Sequence, residues 1–240
     1  MPLLHKLKII YLRETFSPSL LGVFLNPFYF VRRGLYRAIN SNKKYITGKL
    51  LDFGCGSKPY KESFDVQEYV GVDIEQHGHP HQNENVDVFY DGETIPFKDN
   101  YFDSILSSEV FEHTFNLVHI LTELNRVLKV GGYMLITIPF VFEEHEVPYD
   151  FARYTSYGIS DLLKKANFRI VHIEQAGSYI ETITQMMAVY IYGILPKNKY
   201  LNAILRLIFI SPIIIIGLLL SKVLPRNEKL YNNNIIVAQK

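Results

Sequence analysis

The run Lys49-Leu50-Leu51-Asp52-Phe53-Gly54-Cys55-Gly56-Ser57, with Tyr69-Val70-Gly71-Val72-Asp73-Ile74-Glu75 about twenty residues further on, constrains this chain more than any other feature. The first run reads as a buried strand that stops at a glycine turn. Two glycines separated by one residue let backbone approach a ligand where a Cβ would collide, and the second apolar strand then ends in the Asp73 carboxylate. A carboxylate so placed accepts hydrogen bonds from a ribose diol.

A dinucleotide site uses the same logic, so spacing has to separate the two. In G-x-G-x-x-G the last glycine allows tight helix packing and the helix N-terminus faces a pyrophosphate. Gly54 and Gly56 would need a glycine at position 59, which is Pro59. A ligand with ribose and adenine but no pyrophosphate fits better, and a dehydrogenase is disfavoured.

Strands and helices alternate as a parallel sheet requires. The pattern predicts strands over Lys49–Phe53, Tyr69–Asp73, Val86–Tyr90, Phe102–Ser107, Tyr133–Pro139, Phe168–Gln175 and Asn234–Gln239. Leu117–Leu128 has helical spacing and Gly131-Gly132 is its expected C-cap; Ser156–Ala166 is a second helix.

With these motifs in this order, the sequence resembles the class I S-adenosylmethionine-dependent methyltransferases, in particular small methyltransferase domains of surface-glycan and quinone pathways. The resemblance runs from about Leu50 to Phe168 and returns at Asn234–Gln239. It implies a Rossmann-like α/β fold: a seven-stranded, mostly parallel sheet with an antiparallel last strand, here with a hydrophobic helical insertion before that strand. It also implies S-adenosylmethionine as cofactor. On the matching positions, Asp52, Gly54 and Gly56 wrap its amino-acid end, with Cys55 and Ile74 in the same loops. Asp73 takes the ribose hydroxyls, Asp91-Gly92 hold the adenine, and Ser108 lies in Ser108-Glu109-Val110-Phe111-Glu112-His113 beside the methyl donor. One departure is Lys58, where many relatives have a third glycine, so the loop after Gly56 is expected to be shaped differently.

A sulfonium makes its methyl group electrophilic, so alignment of the acceptor supplies most of the rate and deprotonation of the acceptor remains. Groups able to do this belong in the loops at the carboxyl ends of the strands. After the fourth strand come Glu109, Glu112 and His113; after the fifth come His145, Pro148, Asp150 and Arg153-Tyr154-Thr155, which resemble a recurrent pattern of the subgroup. His145 is the first candidate base, because an unperturbed imidazole titrates near about 6.5. His113 is its rival, and Asp150 with Arg153 form either an ion pair that fixes the loop or a polar acceptor site. No metal is expected: His77, His79 and His81 lack a carboxylate partner pattern, and Cys55 is the only cysteine, which also excludes an internal disulfide. Between two glycines, that cysteine reads as a small packing residue.

Charge is unevenly spread. Residues 1–49 hold Lys6, Lys8, Arg13, Arg32, Arg33, Arg37, Lys43, Lys44 and Lys49 against Glu14 alone, interleaved with apolar residues. Such a segment suits an anionic bilayer surface or an amphipathic cover for the sheet, and no base-reading module accompanies it, so nucleic acid is not expected. Charges interrupt its apolar residues, so it lacks the core of a signal peptide and cytoplasmic residence is expected. Two apolar stretches, Tyr179–Leu195 and Leu201–Leu224, flank Pro196-Lys197-Asn198-Lys199. The charge-free Leu207–Ser221 would make about 22 Å of helix against a hydrocarbon core of about 30 Å, and a single crossing would strand the last strand on the wrong side. A shallow hairpin in one leaflet satisfies both, with Pro212 and Gly217 permitting a bend; a buried lid or a dimer interface is the alternative.

The expected organisation is a basic segment 1–48, a methyltransferase domain 49–177 with 232–240, and a hairpin 178–231. The expected activity is methylation of a small or lipid-linked acceptor, foremost a glycan-type hydroxyl at the inner membrane face. A prenylated quinone precursor and a catalytically silent, membrane-docked module are the alternatives.

Overall fold

The computed structural model describes residues 3–75 and 85–240, and the chain divides into two compact units. The His77, His79 and His81 group lies outside the described residues. Residues 39–174 and 234–240 form one unit; residues 1–38 and 175–233 form the other.

The sheet has seven strands: β1 (Lys49–Phe53), β2 (Glu68–Ile74), β3 (Val88–Tyr90), β4 (Phe102–Ser108), β5 (Leu128–Pro139), β6 (Arg169–Ala176) and β7 (Asn233–Gln239). Their order is β3-β2-β1-β4-β5-β7-β6. The pairs β1–β2, β1–β4, β2–β3 and β4–β5 are parallel. β7 runs the other way: the Lys240 N–H donates to the Gly132 carbonyl (3.1 Å) and the Gly131 N–H to that of Lys240 (3.0 Å), so the end of β7 meets the start of β5. This is the Rossmann-like sheet the resemblance implies. Strand order reverses between β1 and β4, which opens a crevice at the carboxyl ends of those strands.

Two amphipathic helices contribute to the core. Helix α4 (Leu117–Val127) buries Leu117, Ile120, Leu121, Leu124 and Val127, the spacing of one helical face, and the Asn116 side chain caps its first turn. Helix α5 (Ser156–Lys165) starts at Thr155, whose hydroxyl accepts the Gly158 N–H at 3.0 Å. Gly131-Gly132 is not the C-cap of α4. The helix stops at Val127, and the glycines lie inside β5, where the register with β4 shifts. Gly131 has φ +83°, and a Cβ on Gly132 would stand 2.8 Å from the Asp103 carbonyl oxygen. The last carbonyls of α4 are met by backbone instead: the Asn100 N–H donates to the Arg126 carbonyl at 2.9 Å and the Tyr101 N–H to that of Val127 at 2.8 Å.

In the other unit, α1 (Leu3–Phe16), α2 (Gly22–Leu25) and the first part of α3 (Tyr29–Asn42) join α6 (Tyr179–Ile194), α7 (Lys199–Leu205) and α8 (Ser211–Val223). Gln185 organises this unit: fully buried, its Oε1 accepts the Phe30 N–H at 3.0 Å and its Nε2 donates to the Pro27 carbonyl at 2.8 Å. Val23, Tyr29, Phe30, Ala188, Ile210 and Ile214 pack as its apolar centre. Gly217 permits close approach of α8 to α6, since a Cβ there would lie 2.4 Å from Thr184 Cγ2. The irregularity between α7 and α8 is a π-helical turn, Arg206–Ile210, immediately before Pro212. Proline has no N–H to continue the ladder, and a wider turn accommodates the break. Helix continues from Lys199 to Val223, long and apolar enough by length and composition to cross a membrane, and mostly unburied.

Candidate functional site

The loop after β1 contains two backbone conformations, one residue apart, that side chains resist. Gly54 (φ +70°) and Gly56 (φ +44°) are left-handed, and a Cβ on Gly54 would sit 2.3 Å from Val110 Cγ2. The turn is tied to β2: the Gly54 and Cys55 N–H groups share the Val72 carbonyl (2.9 and 3.2 Å), and the Gly56 N–H donates to Asp73 Oδ2 at 2.8 Å. Asp73 Oδ1 accepts the Ile74 N–H at 2.8 Å. Each carboxylate oxygen has two acceptor sites, so these bonds orient Asp73 and leave capacity for a diol.

Lys58 resolves the departure from the family's glycine pattern. It adopts the left-handed conformation (φ +54°) that the glycine would take, and its buried side chain runs beneath the strand to Asp87, Nζ to Oδ2 2.6 Å. Gly71 makes the room: a Cβ there would stand 2.2 Å from Lys58 Cε. Asp87 also accepts the Gly71 N–H at 2.7 Å. The pairing of Lys58 with Asp87 is not visible in the sequence, although a lysine in a glycine position is the signal that something nearby must receive its charge.

Asp52 lies under this cradle, buried, with the Tyr69 hydroxyl donating to its Oδ2. Burial pushes its pKa up to about 7, opposed by the Tyr69 hydrogen bond. Cys55 is buried too, and burial together with the charges of Asp52 and Asp73 holds its thiol protonated, as suits a packing residue. Ile74 packs against Gly92 (φ +87°), where a Cβ would be 2.9 Å from Ile74 Cδ1. Asp91 turns its own loop, Oδ1 accepting the Glu93 and Thr94 N–H groups at 2.9 and 2.8 Å. Arg126 and Glu123 fix the next stretch through the Ile95 backbone and the Phe97 carbonyl.

A second group assembles after β4 and β5. Ser108 belongs here: its hydroxyl meets that of Thr137 at 2.9 Å, and Thr137 donates to Glu109 Oε1 at 2.8 Å. Asp150 and Arg153 form a bidentate pair (Nη1–Oδ1 2.5 Å, Nη2–Oδ2 2.7 Å), and Arg153 Nη2 also donates to the Glu143 carbonyl at 2.8 Å. Of the two roles expected for this pair, the structure thus forms the loop-fixing one. The Arg153 hydrogen bonds hold the Asp150 carboxyl well below the usual range. Asp150 Oδ2 accepts the His145 N–H at 2.9 Å and lies 3.3 Å from His145 Nδ1.

The His145 and His113 rings meet edge to face, centroids 4.7 Å apart. Burial first and His113 second lower the His145 pKa, so its imidazole is neutral at neutral pH. His113 Nδ1 lies 2.8 Å from the Tyr149 carbonyl; a carbonyl only accepts, so Nδ1 carries the proton and Nε2 the lone pair of the neutral ring. That Nε2 faces Glu112 Oε1 at 3.8 Å and Glu146 Oε2 at 3.7 Å. Glu112 is fully buried, and neither carboxylate oxygen has a hydrogen-bond partner. Burial, then Glu109, raises its pKa well above the carboxylate range. All four residues expected to carry the chemistry, His145, His113, Asp150 and Arg153, are thereby brought together, and Glu112, the acid beside His113, joins them.

Residues 51–136 match the family model described as methyltransferase domain. An uncharacterised protein of Methanocaldococcus jannaschii, MJ1123, is 33% identical over 103 residues, 42% of this chain and 49% of that protein. The chain therefore spans about half the length of the curated relative it matches. Among solved structures, Haemonchus contortus phosphoethanolamine N-methyltransferase 2 bound to S-adenosylmethionine is similar with a TM-score of 0.53 and 19% identity, covering 95% of this chain and 59% of that one. An S-adenosylmethionine-dependent methyltransferase of Mesorhizobium loti has a TM-score of 0.51 and 12% identity over 88% of this chain and all of its own, 100%. Residues 51–136 thus carry the sequence pattern of a methyltransferase domain, and the sheet has the fold of S-adenosylmethionine-dependent methyltransferase structures.

The residues present fit that cofactor. Gly54 and Gly56 hold the left-handed turn after β1, and the Gly56 and Ile74 N–H groups orient the Asp73 carboxylate beside it.

Proposed function

We propose that this protein transfers the methyl group of S-adenosylmethionine to a hydroxyl of a lipid-linked, glycan-type acceptor while docked on the inner face of a membrane. The observation that carries the membrane part is the helix Lys199–Val223, whose Ile208, Phe209, Ile216, Leu219 and Val223 are each more than half exposed. A contiguous apolar surface on this scale marks an interaction site rather than ordinary solvent-facing surface. The glycan-type acceptor is supported by the resemblance of the His145–Thr155 loop to the surface-glycan subgroup.

The cofactor supplies an electrophilic methyl carbon. The acceptor oxygen forms the new C–O bond, the S–C bond breaks with its electrons left on sulfur, and the hydroxyl proton leaves. The cradle of Gly54, Gly56 and Asp73 fixes the donor, so that alignment lowers the barrier by making the encounter intramolecular. In this reading the loop held by Asp150 and Arg153 presents the His145 imidazole, its ring against that of His113, to take the hydroxyl proton.

Incubation with methyl-labelled S-adenosylmethionine and a membrane extract is expected to label the lipid-soluble fraction, and flotation with anionic liposomes to carry the protein upward. Replacing Ile208 and Ile216 by Glu, both on the exposed side, should abolish flotation and leave stabilisation by S-adenosylmethionine intact. Label confined to water-soluble products, or flotation unchanged in the variant, overturns the membrane reading.

A further inference from the structure

We propose that Glu112, His113 and His145 form a binding site for one divalent transition-metal ion of the zinc or manganese type, with positions left open for the acceptor's oxygen. One ligand atom of each residue lies within 4.8 Å of the others. Two imidazoles and a carboxylate are the donor set that such ions take while keeping coordination sites free for substrate. Ligand atoms on one ion stand about 3.0 to 3.4 Å apart, so modest side-chain rotation closes the set.

Two independent observations point to an ion. The first is Glu112, fully buried and without a hydrogen-bond partner for either oxygen. Burying a carboxyl group unpaired is costly, and a cation at this spot removes that cost. The second is the arrangement behind the rings. His113 donates Nδ1–H to the Tyr149 carbonyl, which turns its Nε2 lone pair toward Glu112 and Glu146 at distances too long for a hydrogen bond. That places an imidazole donor atom and two carboxyl groups around one point, with room for an ion between them. Outer hydrogen bonds from the remote ring nitrogen to a carbonyl or carboxylate are the usual support of metal-binding histidines. The His145 ring is held from its Nδ1 side too, that atom lying 3.3 Å from both the Glu143 carbonyl and Asp150 Oδ2 and 3.4 Å from Arg153 Nη2.

The ion would bind the acceptor's oxygen and lower its pKa, so that no side chain need act as a strong base. This use rests on the hydroxyl-methylation reading; the ion site itself does not. Residue order alone does not reveal this set, since the two histidines are thirty-two residues apart in numbering.

The test uses the untagged full chain, dialysed against a chelator and titrated with Co²⁺ by calorimetry and visible absorption. One equivalent is expected to bind with new d–d bands, and Glu112→Gln and His145→Ala should each weaken binding at least tenfold. His172→Ala, remote in sequence from all three ligands, should leave it unchanged. Thermal stabilisation by S-adenosylmethionine, retained in every variant, shows that they are folded and reports on the methyltransferase reading separately. No binding by the wild type overturns the proposal, as does binding undiminished in both ligand variants, the result expected if His77, His79 and His81 held the ion instead.

Discussion

The cradle at the ends of β1 and β2 and the loops after β4 and β5 both gather acidic groups, yet they treat them oppositely. At the first, Asp52, Asp73 and Asp87 each accept a hydrogen bond from a neighbouring residue of the same cradle: the Tyr69 hydroxyl, the Gly56 N–H, the Gly71 N–H. At the second, Asp150 is held by a bidentate arginine while Glu112 is buried with no hydrogen-bond partner. The first region is complete by itself and is shaped for a ligand it meets through backbone and one oriented acid. The second leaves one buried acid without such support, and burial together with Glu109 raises its pKa. A methyl donor needs only a preformed seat, whereas the acceptor must lose a proton, and the uneven treatment of the carboxyl groups follows that division of labour.

The largest effect that would sharpen this contrast is at Asp52. Its folded pKa of about 7 lies above the unfolded value, so the native state binds the extra proton and stability falls as pH rises from about 4 to 7. Asp52→Asn keeps the Tyr69 hydrogen bond and removes the charge. Denaturant unfolding should show the variant equal to wild type near pH 4 and more stable by up to about 4 kcal/mol at pH 8, from about three pKa units at 1.36 kcal/mol each. A pH-independent difference would mean that the cradle tolerates the charge and is less complete than its hydrogen bonds indicate.

Next is Gly54→Ala. The left-handed backbone costs about 1 kcal/mol for a residue with a Cβ, and the 2.3 Å approach to Val110 forces displacement costing about 1–3 kcal/mol more. A loss of about 3 kcal/mol is expected, with weakened stabilisation by S-adenosylmethionine. Arg153→Met tests the other region. It leaves the Asp150 carboxylate, 3% exposed, without its partner and should cost about 2–4 kcal/mol while freeing the His145 loop. The effect of the arginine on Asp150 is present above the unfolded carboxylate pKa and fades as pH falls below about 4, so the difference between Arg153→Met and wild type should shrink in acid.

Much of this was legible from residue order. Strand positions follow from short apolar runs bounded by turn residues, and β1 through β4 start or stop within two residues of where the pattern puts them. The end of α4 was not legible, because Leu128-Lys129-Val130 continues the apolar periodicity of the helix while its β-branched valine and the following glycines are equally at home in a bulged strand. The candidate catalytic residues were legible as types in loops. What was hidden is pairwise: that Gln185 would bond the backbone at Pro27 and Phe30, more than 150 positions away, or that Glu112 would be buried with its oxygens unpaired. Such facts depend on which surfaces meet, and a periodicity records only which faces are apolar.

The smallest expected effect bears on how a rule can be broken at one position and restored at another. Lys58 stands where the resemblance implies a glycine, and three groups adjust to it: its own backbone takes φ +54°, Gly71 gives up a side chain, and Asp87 receives the ammonium. Lys58→Gly removes the left-handed strain, worth about 1 kcal/mol, and loses an ion pair whose aspartate is 45% exposed and therefore contributes about 1 kcal/mol or less. The two nearly cancel, so stability should change by less than about 1 kcal/mol in either direction. Lys58→Ala keeps the strain and loses the pair, and should be less stable than the glycine variant by about 1 kcal/mol in denaturant unfolding. If the alanine and glycine variants are equal, the backbone at position 58 relaxes without a glycine. The glycine that the resemblance implies would then serve close approach to the ligand, and the wild type should bind S-adenosylmethionine more weakly than Lys58→Gly.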